Sequence, residues 1–117
     1  MRMMKDAEQE EALALLKRLV ETDTQNPPGQ ESRLADFLTE FLEGTHATLQ
    51  RISCRETGRD SLVARLPGAG KKRPLILCGH RDTVPAGDKG AWSVPPLALT
   101  IREGRAYGLG TSDMKSG

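Results

Sequence analysis

Pro74-Leu75-Ile76-Leu77-Cys78-Gly79-His80-Arg81-Asp82-Thr83-Val84-Pro85 is the stretch on which the reading of this chain turns. Leu75 to Cys78 form an apolar run without alternation, the pattern of a strand covered on both faces, and this predicts a central strand in an α/β layer. His80 and Asp82 follow at its carboxyl end, where ligands gather in open α/β sheets. An extended backbone over the next two residues points both side chains to one side, so one imidazole nitrogen can face a metal while Asp82 holds the other. About a helix's length later, Tyr107-Gly108-Leu109-Gly110-Thr111-Ser112-Asp113-Met114-Lys115 supplies a second carboxylate framed by glycines. A flexible backbone there can carry Asp113 to a strand end, and a carboxylate can bridge two cations. The plainer role for Asp113, compatible with the first, is the N-cap of a helix starting at Met114.

Upstream, Asp6 and Gln9 form a capping pair, and Ala12, Leu13, Leu16, Leu19 and Val20 recur at helical spacing, predicting a helix over residues 7–21. Thr22 to Gly29 breaks it, since Pro27 and Pro28 remove backbone donors. Leu34, Phe37, Leu38 and Phe41 renew the helical period from Glu31, and Gly44 is placed to close that helix in a left-handed cap. Strands are expected weakly over Ala47–Cys54 and more firmly over Ser61–Leu66, with Pro67-Gly68-Ala69-Gly70 as a hairpin turn into the run at Leu75. Downstream of a loop holding Trp92, Pro95 and Pro96, Leu97, Leu99 and Ile101 alternate with polar or small residues and turn at Glu103-Gly104 into Arg105-Ala106-Tyr107, a second hairpin.

The 117 residues fit one domain with a modest core, and with only 3% aromatics that core must rest on Leu, Val, Ile and Ala. Seventeen basic residues against 16 acidic ones leave a net charge of +1, which argues for neither a nucleic-acid partner nor an anionic membrane. Gly68-Ala69-Gly70-Lys71-Lys72 lacks the spacing of a phosphate-binding loop and has no Ser or Thr after Lys71. Cys54 and Cys78 do not form a disulfide framework, and acidic residues interrupt the amino-terminal segment, so a soluble cytoplasmic protein with reduced thiols is expected.

Taken together, Gly79 to Pro85, Trp92 to Pro96 and Glu103 to Gly117 resemble the di-zinc metallohydrolases that include acetylornithine deacetylase, succinyl-diaminopimelate desuccinylase, carboxypeptidase G and aminoacylase. That pattern is a strand ending Gly-His-x-Asp-Thr/Val-Val-Pro, a Trp-containing loop, and an aspartate in Asp-Met-Lys-Gly-Gly. Asn26-Pro27-Pro28-Gly29 with Glu31, and Arg59-Asp60-Ser61-Leu62-Val63-Ala64, match motifs of the deacetylase and desuccinylase branch. The resemblance spans nearly the whole chain and implies that residues 1–117 are the amino-terminal part of a three-layer αβα zinc-exopeptidase-like catalytic domain.

By that resemblance His80 ligates one metal, Asp113 bridges two, Asp82 serves catalysis by orienting His80, and Thr111, Ser112 and Lys115 frame the site. The implied cofactors are two divalent cations, zinc with cobalt as the alternative. The implied substrates are N-acyl amino acids or small peptides, and the full-length enzyme is expected to be a homodimer. Leu109 stands where many members carry arginine, and Ser116 where glycine is usual. The family's general-base glutamate and its remaining ligands have no counterpart in these residues, and neither His46 nor Glu103 is assignable as a substitute. Two ligands fall short of the three that a catalytic zinc takes from protein. The 117 residues alone are therefore expected to be inactive, and the rival reading is a non-catalytic binding or interaction piece.

Overall fold

The computed structural model describes residues 6–117. Helix α1 spans Asp6–Glu21, with Asp6 and Glu8 in its first turn and Arg18 in its last, the charge order that complements a helix dipole. Leu13, Leu16 and Leu19 lie half-buried along one face, and Val20 is fully buried. The helix stops where Thr22 folds back, its backbone N–H and its hydroxyl both donating to the Arg18 carbonyl. Asp23 Oδ1 then accepts from the Gln25 backbone N–H at 3.1 Å, a local turn that competes with further helix.

Helix α2 spans Glu31–Leu42 and buries Leu34 and Ala35. Its first turn is tied down by the Ser32 backbone N–H, which donates to the Gly58 carbonyl at 3.0 Å. The two helices meet where the Arg18 guanidinium lies 5.4 Å from the centre of the Phe37 ring. Gly44 (φ +80°) follows just beyond the helix end, near the position expected of it.

Strand β1 (Thr48–Ser53) pairs antiparallel with β2 (Asp60–Arg65), from Thr48 opposite Arg65 to Ser53 opposite Asp60, and α2 lies against β2. A second hairpin joins β3 (Thr100–Arg102) to β4 (Arg105–Tyr107). Its turn residues, Glu103 (φ 50°) and Gly104 (φ 72°), are both left-handed, as a two-residue hairpin turn that matches strand twist requires. This hairpin is shorter than the alternation from Leu97 predicts. The Ala98 N–H donates to the Pro95 carbonyl and the Leu109 N–H to the Pro96 carbonyl, which holds residues 97–99 in a turn instead of a ladder.

The central strand expected at Leu75–Cys78 is not formed. The backbone there belongs to no sheet, and Leu75, Ile76 and Leu77 are 84%, 82% and 87% exposed. A strand exists only through its ladder, and among the described residues neither small sheet pairs with this segment. Pro67 to Gly70 is accordingly not a turn between two strands. Cys78 is exposed, as is Cys54, and both are free thiols. Nor does a helix start at Met114: residues 109–116 form consecutive turns, so Asp113 caps nothing.

The buried apolar residues are Val20, Leu34, Ala35, Val94 and Leu109, joined by Thr24 and Thr83. Leu109 is thus a core residue. So small a core leaves an open shape: the radius of gyration is 16.0 Å, where a compact chain of this length has about 13 Å. Polar links hold the loops together instead. Thr24-Gln25-Asn26 runs parallel to the residues after His80, with the Asn26 N–H donating to the Thr83 carbonyl at 2.8 Å and the Thr83 N–H to the Thr24 carbonyl at 3.1 Å. The Thr24 hydroxyl adds a bond to the Arg81 carbonyl at 2.6 Å.

Gly110 (φ +82°) closes the molecule against this seam, because a Cβ there would stand 2.6 Å from Thr83 Cγ2. Gly110→Ala is therefore expected to cost about 1–3 kcal/mol from the left-handed backbone alone, with the clash adding to it. Urea unfolding followed by circular dichroism measures this, and an unchanged midpoint would contradict the packing described.

Candidate metal centre

Three side chains from two stretches of the sequence lie together, His80 and Asp82 from one and Asp113 from the other. The seam with Thr24–Asn26 fixes the backbone on either side of Asp82, leaving His80 exposed and Asp82 half-buried. Asp113 arrives on the turns that follow Gly110, where the Lys115 N–H donates to the Gly110 carbonyl at 2.8 Å. His80 then lies between two carboxylates. Its Nδ1 is 3.0 Å from Asp82 Oδ1, and its Nε2 is 2.8 Å from Asp113 Oδ1.

This environment raises the imidazole pKa above its ordinary value, chiefly through the hydrogen bond to Asp113, against a smaller opposing effect of desolvation. The imidazolium so held stabilises the fold below the unfolded pKa, and that contribution is lost as pH rises through the raised folded value. Asp82 is shifted the other way. The Asn26 amide holds its carboxyl below the usual range, with His80 assisting.

An imidazole nitrogen and a carboxylate oxygen sharing one proton are a donor pair for a divalent cation. Zinc bonds of about 2.0–2.2 Å at a tetrahedral angle set a pair of donors about 3.3 Å from each other. Exchanging the shared proton for a cation thus asks Nε2 and Oδ1 to open by about half an ångström, a small rotation for an Asp113 side chain that is 83% exposed. The residues present fit two positions of a cation's shell. Among the described residues no group of three His, Cys, Asp or Glu is arranged so as to hold a metal ion together. His46 follows α2 and Glu103 sits in the β3–β4 turn, both exposed.

Behind Asp82 lies a polar layer that single residue types did not announce. Asn26 Nδ2 donates to Asp82 Oδ2 at 3.1 Å, and Arg59 Nη2 stands 3.8 Å from the same oxygen. Arg59 is itself forked onto the buried Glu31, with Nη2 to Oε1 at 2.8 Å and Nε to Oε2 at 3.2 Å. Gly29 (φ +73°) leaves room for that pair, since a Cβ there would lie 2.8 Å from Arg59 Nε. Arg81 donates through Nη1 to the Glu31 carbonyl and through Nη2 to the Asp60 carbonyl, joining α2 and β2 to the site loop. The motifs around Asn26 and Arg59 were visible in the sequence. That both end on one carboxylate oxygen was not, because each lies tens of residues from Asp82.

Lys115 makes a long-range tie to the end of the first helix. Its buried amine donates to the carbonyls of Leu19 and Thr22 at the end of α1, at 2.7 and 2.8 Å. Thr111, in the same turns, closes its own loop through a hydroxyl bond to the Gly108 carbonyl at 3.0 Å, and Ser112 is exposed.

Residues 76–117 match the family described as Peptidase family M20/M25/M40. Over 109 residues, 90% of this chain, the sequence is 38% identical to a succinyl-diaminopimelate desuccinylase of Rhodospirillum centenum, of which it covers 27%. It is 42% identical over 95 residues, 80% of this chain, to an acetylornithine deacetylase of Proteus mirabilis, covering 24% of that protein. A desuccinylase of Delftia acidovorans is 36% identical over 110 residues, 89% of this chain and 27% of the relative. These comparisons agree with the resemblance read from the motifs: the chain is similar to the peptidases of family M20/M25/M40, and to desuccinylases and deacetylases among these relatives. It spans about a quarter of the length of the curated relatives it matches. No helix among the described residues is long and apolar enough to cross a membrane.

Burial pushes the Lys115 amine down to about 8, from an unfolded value of 10.5. Between those values the unfolded chain holds a proton that the folded chain lacks, so stability rises with pH across the window. Relative to Lys115→Met, the parent chain is expected to gain on the order of 3 kcal/mol between pH 7 and 10.5. Urea titrations of both proteins across that range measure the difference, and a flat difference would contradict the buried amine.

Proposed function

We propose that these residues are the amino-terminal portion of the catalytic domain of a metal-dependent amidohydrolase that cleaves N-acyl amino acids or small peptides. The observation that carries this reading is the meeting of His80 Nε2 with Asp113 Oδ1 at 2.8 Å, in a chain similar to desuccinylases and deacetylases. His80 and Asp113 would hold divalent cations there, zinc or cobalt in its place. Divalent cations bound there supply Lewis acidity toward the amide carbonyl and a water of lowered pKa. Asp82 keeps the Nδ1 proton of His80 in place, which leaves Nε2 free as a donor atom. Hydrolysis releases a carboxylate and an amine, and the general base that deprotonates the water is expected from residues beyond these 117.

The same reading accounts for the bare apolar segment at Leu75–Cys78. In a three-layer αβα domain it is a central strand whose neighbours come from outside the present residues, and its exposed side chains are the faces they cover. A cytoplasmic location and a homodimer belong to this reading as well. One observation favours the rival, a non-catalytic piece: two converging donors are fewer than a catalytic zinc takes from protein. On either reading the 117-residue chain alone does not turn over substrate.

The protein encoded by the whole gene, stripped of metal and reloaded with zinc or cobalt, is expected to hydrolyse members of a panel of N-succinyl and N-acetyl amino acids. A chelator should abolish the activity. His80→Ala should lower it by more than the 10–100-fold typical of an outer partner's loss. Absence of chelator-sensitive turnover across the panel would overturn the proposal.

A further inference from the structure

Asp82 is the hinge between the candidate metal centre and the loop that precedes α2, and its two oxygens are used differently. Oδ1 faces His80 Nδ1 at 3.0 Å, whereas Oδ2 accepts the Asn26 amide at 3.1 Å with Arg59 Nη2 at 3.8 Å. A carboxylate with only one oxygen engaged can rotate about its terminal torsion, which is broad and two-fold. With both engaged, the plane is set and Oδ1 is aimed.

Asn26 is in turn immobilised from its own backbone, because its N–H donates to the Thr83 carbonyl at 2.8 Å, one residue past the carboxylate it holds. The neighbouring Gln25 side chain adds a bond from the Ala86 N–H to its Oε1 at 2.7 Å. Arg59 is pinned through its fork onto Glu31, so its charge stays beside Oδ2 without displacing the amide. The contact runs from loop to carboxylate to imidazole through atoms whose partners are all accounted for.

From this geometry we infer that Asn26 is a positioning residue for the metal centre: it fixes the Asp82 carboxylate and, through it, the ring of His80. This role rests on the metallohydrolase reading for its purpose, though not for its detection. The amide matters as a donor, so an apolar side chain of similar size removes the effect while filling the space.

The test uses the 117-residue chain, whose two histidines, His46 and His80, give an uncrowded ring spectrum. In Asn26→Leu the ring proton and nitrogen signals of His80 are expected to move while those of His46 stay in place, and an unchanged circular dichroism spectrum reports an intact fold. The same substitution made on top of Asp82→Ala should move nothing further, since the relay is already cut. Zinc affinity by calorimetry should fall about 10–100-fold in Asn26→Leu. His80 signals that superpose on those of the parent chain overturn the inference whatever the metal does. A parent chain that binds no zinc counts against the hydrolase reading only, and the His80 spectrum then decides this one. If the leucine variant does not fold, Asn26→Ala, which removes the amide without adding bulk, is read in the same way.

Discussion

Everything at the candidate site depends on a short parallel seam of backbone hydrogen bonds between Thr24–Asn26 and Arg81–Thr83. It joins the end of the first helix to the residues around Asp82, and no large core stands behind it. A buried Thr24 and Thr83 replace the apolar side chains that would ordinarily fill such a junction. Backbone groups removed from water must find partners, and here they find one another.

Around that seam the fold is assembled by long polar reaches. Lys115 ties the loop bearing Asp113 to the end of α1, while Arg81 and Arg59 tie the site to α2 and β2. Each such bond is directional, so the carboxylates and the imidazole are placed more sharply than apolar packing alone would place them. The cost is openness: much of the apolar surface, above all at Leu75–Leu77, faces solvent.

Both helices, the β1–β2 strands and the turn at Glu103-Gly104 are legible in the sequence, since period and turn chemistry are local signals. The run at Leu75–Cys78 has the pattern of a buried central strand and is bare, because an apolar run states that both faces want cover without saying what provides it. Leu97 and Leu99 alternate like a strand, yet carbonyls of Pro95 and Pro96 capture the amides of Ala98 and Leu109. At the site, the candidates His80, Asp82 and Asp113 do lie together; their roles in metal binding and catalysis remain those of the proposal. The contacts of Asn26, Arg59 and Lys115 escape a sequence reading because their partners are set by the tertiary path of the chain.

Amide hydrogen exchange at Asn26 and Thr83 tests the seam most directly. The structure predicts that both amides exchange as slowly as those of α2 and of the β1–β2 hairpin. Exchange at unprotected rates for these two, with α2 and the hairpin still protected, would contradict the account.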